Sequence, residues 1–386
     1  MEPIPFLRPR LVTLDHYRHH IESTEKSRHY TNFGPLNNRF EARVLEEWFG
    51  GVGAVTTVAN ATLGLMLAIS QTKRAGKYAV MPSFTFAATP LAAQWCGLEP
   101  LFVDVDPDEW VVDQAALKAV LDRYGDDIAV VVPYATAGTH MDLAPYEALQ
   151  ARGIPVVVDA AASMGTMLDG QPFGKGFPGI VVFSFHATKA FPVGEAGMIY
   201  SADAQVLKRI RLASNYSFDG GRESTAMGLN AKISELTAAV ALATFDRFRE
   251  TMQIRRDLYQ RYLERLEDSG LLTSGFRLHG MRGQALYQWL PLMAPDRATQ
   301  ERVVKVAAEQ RIELRRYFAP ACHEHRQFRS CPTDALTFTR QLSERVLSLP
   351  LWDEMTPAMV DRVVDTVAQA AGVRSVDVRQ PAAIDR

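Results

Sequence analysis

The stretch that most narrows the possible folds of this chain is Ile180–Ile199, where two apolar runs bracket a polar turn. Ile180, Val181, Val182 and Phe183 are β-branched and aromatic residues that predict a buried strand, and Gly197-Met198-Ile199-Tyr200 predicts the next one. Between them the turn carries Ser184, His186, Thr188 and Lys189. A lysine delivered from a strand end into such a loop is either a solvated loop charge or a nucleophilic amine, and position alone does not choose between them.

A second apolar run, Ile154-Pro155-Val156-Val157-Val158, stops abruptly at Asp159 and is followed by Ala160, Ala161 and Ala162. A carboxylate at the end of a buried strand needs a specific partner, because an unpaired buried charge is costly. That partner could be structural. Two strand ends, one with an acid and one with a lysine, also supply what pyridoxal phosphate requires: an amine to bond its aldehyde and an acid to face its ring nitrogen.

Ala54–Ala59, Tyr78–Met81, Leu98–Val103 and Ile128–Val132 repeat the pattern of an apolar strand ending in a turn. Helical spacing separates them, as in Leu63–Ser70, Gln114–Tyr124 and Leu143–Arg152. This alternation predicts βαβ units, a mainly parallel sheet and ligands gathered at the carboxyl ends of the strands. At Asn60-Ala61-Thr62 small residues at a strand-to-helix turn let backbone amides approach an anion at a helix amino terminus, although a plain helix cap would look the same. The spacing is not that of a dinucleotide fingerprint. Further helices are expected from Leu14 onward and at Asn38–Phe49, Asp203–Ala213 and Ile233–Phe248, with Phe245–Leu266 as the link to a second domain. There, Ala285–Leu292 and Leu314–Phe318 read as strands, and Arg297–Gln310 and Pro357–Ala371 as helices. The expected division is a large domain over 1–250 and a smaller α/β domain over 251–386.

A chain of 386 residues, 47% hydrophobic and 22% charged, is long enough for two such domains. Its net charge of −2 offers no global field to nucleic acid or an anionic membrane, so a small anion must be held locally. Three cysteines without CxxC spacing argue against a disulfide framework and a zinc site, and no metal is expected. The amino terminus has no apolar core of signal-peptide length and no run is long enough to span a bilayer, so a cytoplasmic protein is expected.

S-F-H-A-T-K at 184–189, D-A-A at 159–161 and P-S-F-T-F at 82–86 resemble the DegT/DnrJ/EryC1/StrS family of sugar aminotransferases. So do T-N-F-G-P at 31–35, N-A-T at 60–62, V-D-V-D at 103–106 and G-L-N-A-K-I-S-E at 228–235, in the family's order. The resemblance covers nearly the whole chain. It implies the fold-type I architecture of pyridoxal-phosphate enzymes, an α/β fold with a mainly parallel seven-stranded sheet and a smaller carboxyl-terminal domain. It implies Lys189 as the cofactor-bonding amine and proton-moving base, and Asp159 on the ring nitrogen. Phe86 is then the ring-stacking aromatic, with Ser184 and the backbone of Ala61 and Thr62 on the phosphate. Asn230 is expected to reach the neighbouring subunit's cofactor phosphate in a homodimer with shared sites. The loop at Asn32, together with Tyr317 and His323, is expected near the sugar nucleotide.

Within the family the likeness is strongest to enzymes that move an amino group from L-glutamate to carbon 4 of dTDP-4-dehydro-6-deoxyglucose, in deoxyamino-sugar biosynthesis of the lipopolysaccharide O-antigen kind. GDP-4-dehydro-6-deoxymannose and 3-keto sugars are alternatives, as is a homologue without turnover that serves regulation or assembly. Relatives that deoxygenate have histidine in place of the lysine, which Lys189 disfavours. Two positions depart from the pattern: Ala162 stands where His or Gln is common and contacts the cofactor, and Ala196 where glycine is usual.

Overall fold

A computed structural model describes residues 2–280 and 284–373. Its main sheet is built from β1 (Ala54–Val58), β2 (Tyr78–Pro82), β3 (Glu99–Val103), β4 (Ile128–Val131), β5 (Val157–Asp159), β6 (Ile180–Ser184) and β7 (Gly197–Ser201). One half pairs as β1-β7-β6-β5 and the other as β3-β2-β4. Parallel bridges Val131–Val156 and Tyr134–Asp159 join β4 to β5, giving a seven-stranded sheet in the order β1-β7-β6-β5-β4-β2-β3. Strands β6, β5, β4, β2 and β3 run parallel, and β7 runs against both of its neighbours. Every residue of β6 and β7 is buried. Burial on both faces is what an unbroken apolar run requires when helices cover the two sides of a parallel sheet. The carboxyl ends of β5 and β6 therefore lie side by side, carrying Asp159 and leading to Lys189.

Helix Glu235–Asp268 extends for 34 residues, about 50 Å at 1.5 Å per residue. The Ser234 hydroxyl caps it by accepting from the Thr237 amide at 3.1 Å. Its first half places Ala238, Ala239, Ala241 and Leu242 in the core under the main sheet, and its second half places Leu258, Tyr262 and Leu266 in a separate core. The expected division near residue 250 thus falls inside one unbroken helix. The second core is closed by a three-stranded antiparallel sheet of Arg277–Leu278, Leu290–Met293 and Val346–Leu349, with helices Arg297–Glu309 and Pro357–Ala371. The amino-terminal segment crosses to this region: Ile4 bridges Ile312 and the Trp352 indole donates to the Pro5 carbonyl at 3.0 Å.

Three local expectations are corrected. Only Leu290–Met293 of the run Ala285–Leu292 is a strand, because the preceding backbone spends its amides on loops of the main sheet: Leu286 donates to Thr166 Oγ1 and Gln288 to the Ala137 carbonyl. Leu314–Phe318 forms no strand; a single bridge from Arg315 to Ser348 is its sheet-like contact. The helix expected at Asn38–Phe49 begins at Pro35, whose ring suits the first turn, and its last turn widens over Val44–Trp48.

Candidate active site

The carboxyl edge of the sheet opens into a cavity of about 620 Å³ whose lining includes Ala61, Thr62, Phe86, Asp159, Ser184, Lys189 and Tyr317. Asp159 is its deepest charge, 2% exposed. Thr89 Oγ1 donates to its Oδ2 at 2.6 Å and the Ala161 amide to its Oδ1 at 3.1 Å, and Thr85 Oγ1 shares a 2.9 Å hydrogen bond with Thr89. Burial raises the carboxyl above its ordinary range, against the pull of these two donors and of Lys189. Neither donor is a cation, so Lys189 is the positive group that acts on the buried acid.

Lys189 leaves the turn after β6 and donates from Nζ to Gln288 Oε1 at 2.8 Å. Burial lowers the amine to about 8, and Asp159 opposes that shift. An amine near 8 is partly free at neutral pH and can act as nucleophile and base.

At the other end of the cavity, helix Ala61–Thr72 begins after Asn60. The Asn60 side chain takes the Leu63 amide at 2.9 Å and its carbonyl takes the Gly64 amide, so the Ala61 and Thr62 amides are spent on neither. The start of β7 approaches this helix end closely. A Cβ on Gly197 would stand 2.8 Å from the Phe183 carbonyl oxygen and 3.0 Å from the Ala61 nitrogen, which only glycine tolerates. Ser184 adds a hydroxyl, which accepts from the His186 amide at 3.3 Å. The result is an anion cradle of backbone amides, a hydroxyl and a helix amino terminus. Phe86 is 58% exposed, and its ring stands over the cavity as an apolar plate with no full covering. Acid, amine, plate and cradle fit a flat, cationic, phosphate-bearing ring.

Three other expected residues stand apart. Asn32 is exposed in a turn where it and Phe33 take left-handed backbone angles, φ 61° and 55°. Asn230 is exposed beside Asn215, to which it is bridged. His323 lies behind the β2 turn, where its amide donates to Ser83 Oγ at 2.9 Å and that hydroxyl pairs with its Nδ1 at 2.8 Å. None of the three lines the cavity. Ala162 is buried and also off the lining, to which Ala161 contributes instead. Ala196 is buried and its carbonyl accepts from the Phe185 amide at 2.9 Å, as any residue could provide.

Sequence reasoning missed Tyr134, Thr89, Gln288, Trp289 and Arg315. Tyr134, Gln288, Trp289 and Arg315 line the cavity, and Thr89 fixes Asp159 from behind. The Arg315 guanidinium donates to the Tyr317 hydroxyl at 2.6 Å and lies 3.1 Å from Glu313. Pro133-Tyr134, directly after a strand, was the one legible signal among them. Among the described residues no cluster of three or more metal-ligating side chains occurs and no helix is long and apolar enough to cross a membrane.

The profile of the DegT/DnrJ/EryC1/StrS aminotransferase family matches residues 15–368. A crystal structure of a Bacillus cereus protein, assigned as a PLP-dependent aminotransferase, superimposes with a TM-score of 0.94 at 43% identity over 95% of this chain and 100% of that one. A structure of DesI in the presence of its TDP-sugar product gives 0.85 at 33% identity, over 96% of this chain and 93% of DesI. Protein Rv3402c of Mycobacterium tuberculosis is 32% identical over 95% of this chain and 90% of its own. The dTDP-4-amino-4,6-dideoxy-D-glucose transaminase of Escherichia coli is 25% identical over 93% and 96%.

Proposed function

Since this chain belongs to the DegT/DnrJ/EryC1/StrS aminotransferase family, and is by that membership a pyridoxal-phosphate-dependent sugar aminotransferase, we propose that its acceptor is dTDP-4-dehydro-6-deoxyglucose and its donor L-glutamate. The product is then dTDP-4-amino-4,6-dideoxyglucose. The observation that carries the reaction is the meeting of Lys189 and Asp159 in one cavity with an exposed aromatic plate and an amide cradle. The choice of sugar is supported by likeness to DesI, solved with a TDP-sugar product, and to the Escherichia coli transaminase.

Bound at this site, pyridoxal phosphate supplies an aldehyde that takes up amines and a ring that draws electrons from the neighbouring carbon. Asp159 would hold the proton on the ring nitrogen; Thr89 and the Ala161 amide aim its carboxylate and oppose the upward pull of burial. Lys189 Nζ takes a proton from the amino-bearing carbon of the donor and returns one to the carbon that becomes aminated in the acceptor. Ser184 and the Ala61 and Thr62 amides hold the phosphate, and Phe86 covers a ring face. Arg315 and Tyr317 also line the cavity, where a guanidinium suits the charge of a nucleoside diphosphate.

The working unit in this reading is a cytoplasmic homodimer. Asn32 and Asn230 are then supplied to a neighbour's site, and His323 orders the loop behind the sugar. Exposed Tyr30, Tyr216, Met227 and Leu236 support an interface there, since the Tyr30 carbonyl accepts from the Glu235 amide beside Leu236.

Incubating the purified protein with pyridoxal phosphate, L-glutamate and a panel of dTDP- and GDP-linked 4-keto and 3-keto sugars tests the proposal by mass and NMR analysis. Amination at carbon 4 of the dTDP sugar is expected. Reaction confined to the GDP sugar or to a 3-keto sugar overturns the substrate; a cofactor band unmoved by every donor overturns the activity.

A further inference from the structure

Gln288 lies on the irregular run that leads from the main sheet into strand Leu290–Met293, and only 4% of it is exposed. Its Oε1 accepts from Lys189 Nζ at 2.8 Å, while its Nε2 donates to the carbonyl and the hydroxyl of Thr188, both at 3.0 Å. The reversed amide would set an NH2 group against the ammonium and an oxygen against a carbonyl, so its orientation is fixed. The polarity continues beyond it. The Thr188 amide donates to His186 Nδ1 at 3.2 Å, which makes that ring nitrogen an acceptor, so the Thr188 hydroxyl at 2.9 Å donates to it as well. A hydroxyl whose proton is so committed accepts from Gln288. The imidazole proton then resides on Nε2, 3.5 Å from Glu195 Oε1. From Lys189 through Gln288 and Thr188 to His186, every group donates in the same direction.

We propose that Gln288 is a positioning residue that docks the Lys189 amine whenever that amine is free, and ties its placement to the seating of the segment leading into the second domain. This rests on the aminotransferase reading for its catalytic meaning, because only an enzyme that repeatedly frees and rebonds its lysine needs a dock. A lysine side chain loses much rotamer freedom when ordered, and holding it ready removes that cost from each cycle.

Other charged and titratable groups line the two cavities that Lys189 also lines. Asp159 approaches from β5, Tyr134 from the turn after β4, and His186 and Glu195 from the lysine's own loop. Arg255 of the long helix is paired with Asp353 at 2.7 Å, and Arg8 and Arg10 of the amino-terminal segment with Glu354 at 3.6 and 3.1 Å. Arg315 and Tyr317 line the cavity with Asp159. All of them remain when Gln288 alone is replaced, so the titration of the amine isolates the amide.

The test is competitive acetylation of the full chain freed of cofactor, with Lys189 followed by peptide mass spectrometry across pH. An accepting amide oxygen favours the charged amine, so Gln288→Leu is expected to lower the midpoint by about half a unit and Gln288→Glu to raise it by about one unit. In the holoenzyme, Gln288→Leu is expected to lower kcat for the glutamate half-reaction with KM little changed. Opposite shifts support the proposal, and any other pattern in folded variants overturns it. If the leucine variant does not fold, the nearly isosteric glutamate variant decides alone: a midpoint that stays or falls overturns the dock. Acetylation reads the amine without turnover, so a protein inactive on every keto sugar would overturn the functional reading and leave this result standing.

Discussion

The two walls of the cavity are made differently. One is the carboxyl edge of the sheet, where Asp159 and Ser184 end strands, the Ala61 and Thr62 amides open a helix, and Thr89 of a neighbouring helix holds the Asp159 carboxylate at 2.6 Å. The other carries Gln288, Trp289, Arg315 and Tyr317 on irregular backbone from the far end of the chain. Regular elements fix charge and proton acceptors within a fraction of an ångström; irregular segments present rings, an amide and a guanidinium that can differ from one relative to the next. In the proposed reaction the chemistry falls to the first wall, and to Gln288 through Lys189, while selection of the partner molecule falls to Trp289, Arg315 and Tyr317. Substitutions on the sheet edge, and at Gln288 which holds the Lys189 amine, should therefore strike kcat, and those at Arg315 and Tyr317 should strike KM.

The largest expected effect is that of Lys189→Ala, which should lower turnover about 10³-fold or more while leaving affinity for the nucleotide sugar unchanged by calorimetry. Retained turnover would remove Lys189 from the chemistry. The same lysine makes the cofactor-free chain pH-sensitive. Its amine titrates near 8 when folded against 10.5 as an ordinary side chain, so between those values the unfolded chain holds more protons and stability rises with pH. The rise is about 3 kcal/mol at most, read as denaturant midpoints that shift in the native chain and not in Lys189→Ala.

Asp159→Asn should bind cofactor yet lose about 10²-fold in turnover, because a neutral amide cannot keep a ring proton. Normal turnover would remove the sheet edge's claim to the electron sink. Gly197→Ala should cost about 2 kcal/mol in thermal or denaturant unfolding by forcing apart β7 and the Asn60–Ala61 turn, and should weaken cofactor retention more than catalysis per bound cofactor. Smallest is Arg315→Ala, expected to raise KM for the nucleotide sugar about tenfold with kcat within a few fold. A fall in kcat without a change in KM would erase the distinction between the walls.

Where apolar residues keep a regular strand or helix spacing the elements could be read almost to the residue. Helices Gln114–Tyr124 and Pro357–Ala371 have the expected bounds, and β6 ends one residue later than expected. Of the second wall only Tyr317 was legible, through the family resemblance; Gln288 was not, because it is placed by amides that reach Thr166 and Ala137 across the chain, and no local periodicity encodes such bonds. Family-like motifs also mixed two kinds of residue. Glu235 accepts the amides of Leu36 and Asn37 at 2.7 and 3.0 Å, capping a helix 199 residues away, and Asp104 accepts those of Phe338 and Thr339 at 2.8 and 2.7 Å. A string of letters shows only where such acids stand; the fold distinguishes a carboxylate that closes a helix from one that lines the cavity.

The long helix Glu235–Asp268 has one further consequence. Because a single rod supplies side chains to both cores, a cut at its middle would leave two fragments, each with half a rod and an uncovered greasy stripe. Neither piece is a free-standing module to be exchanged between relatives, and a graft meant to alter which sugar is accepted has to be spliced outside this spine.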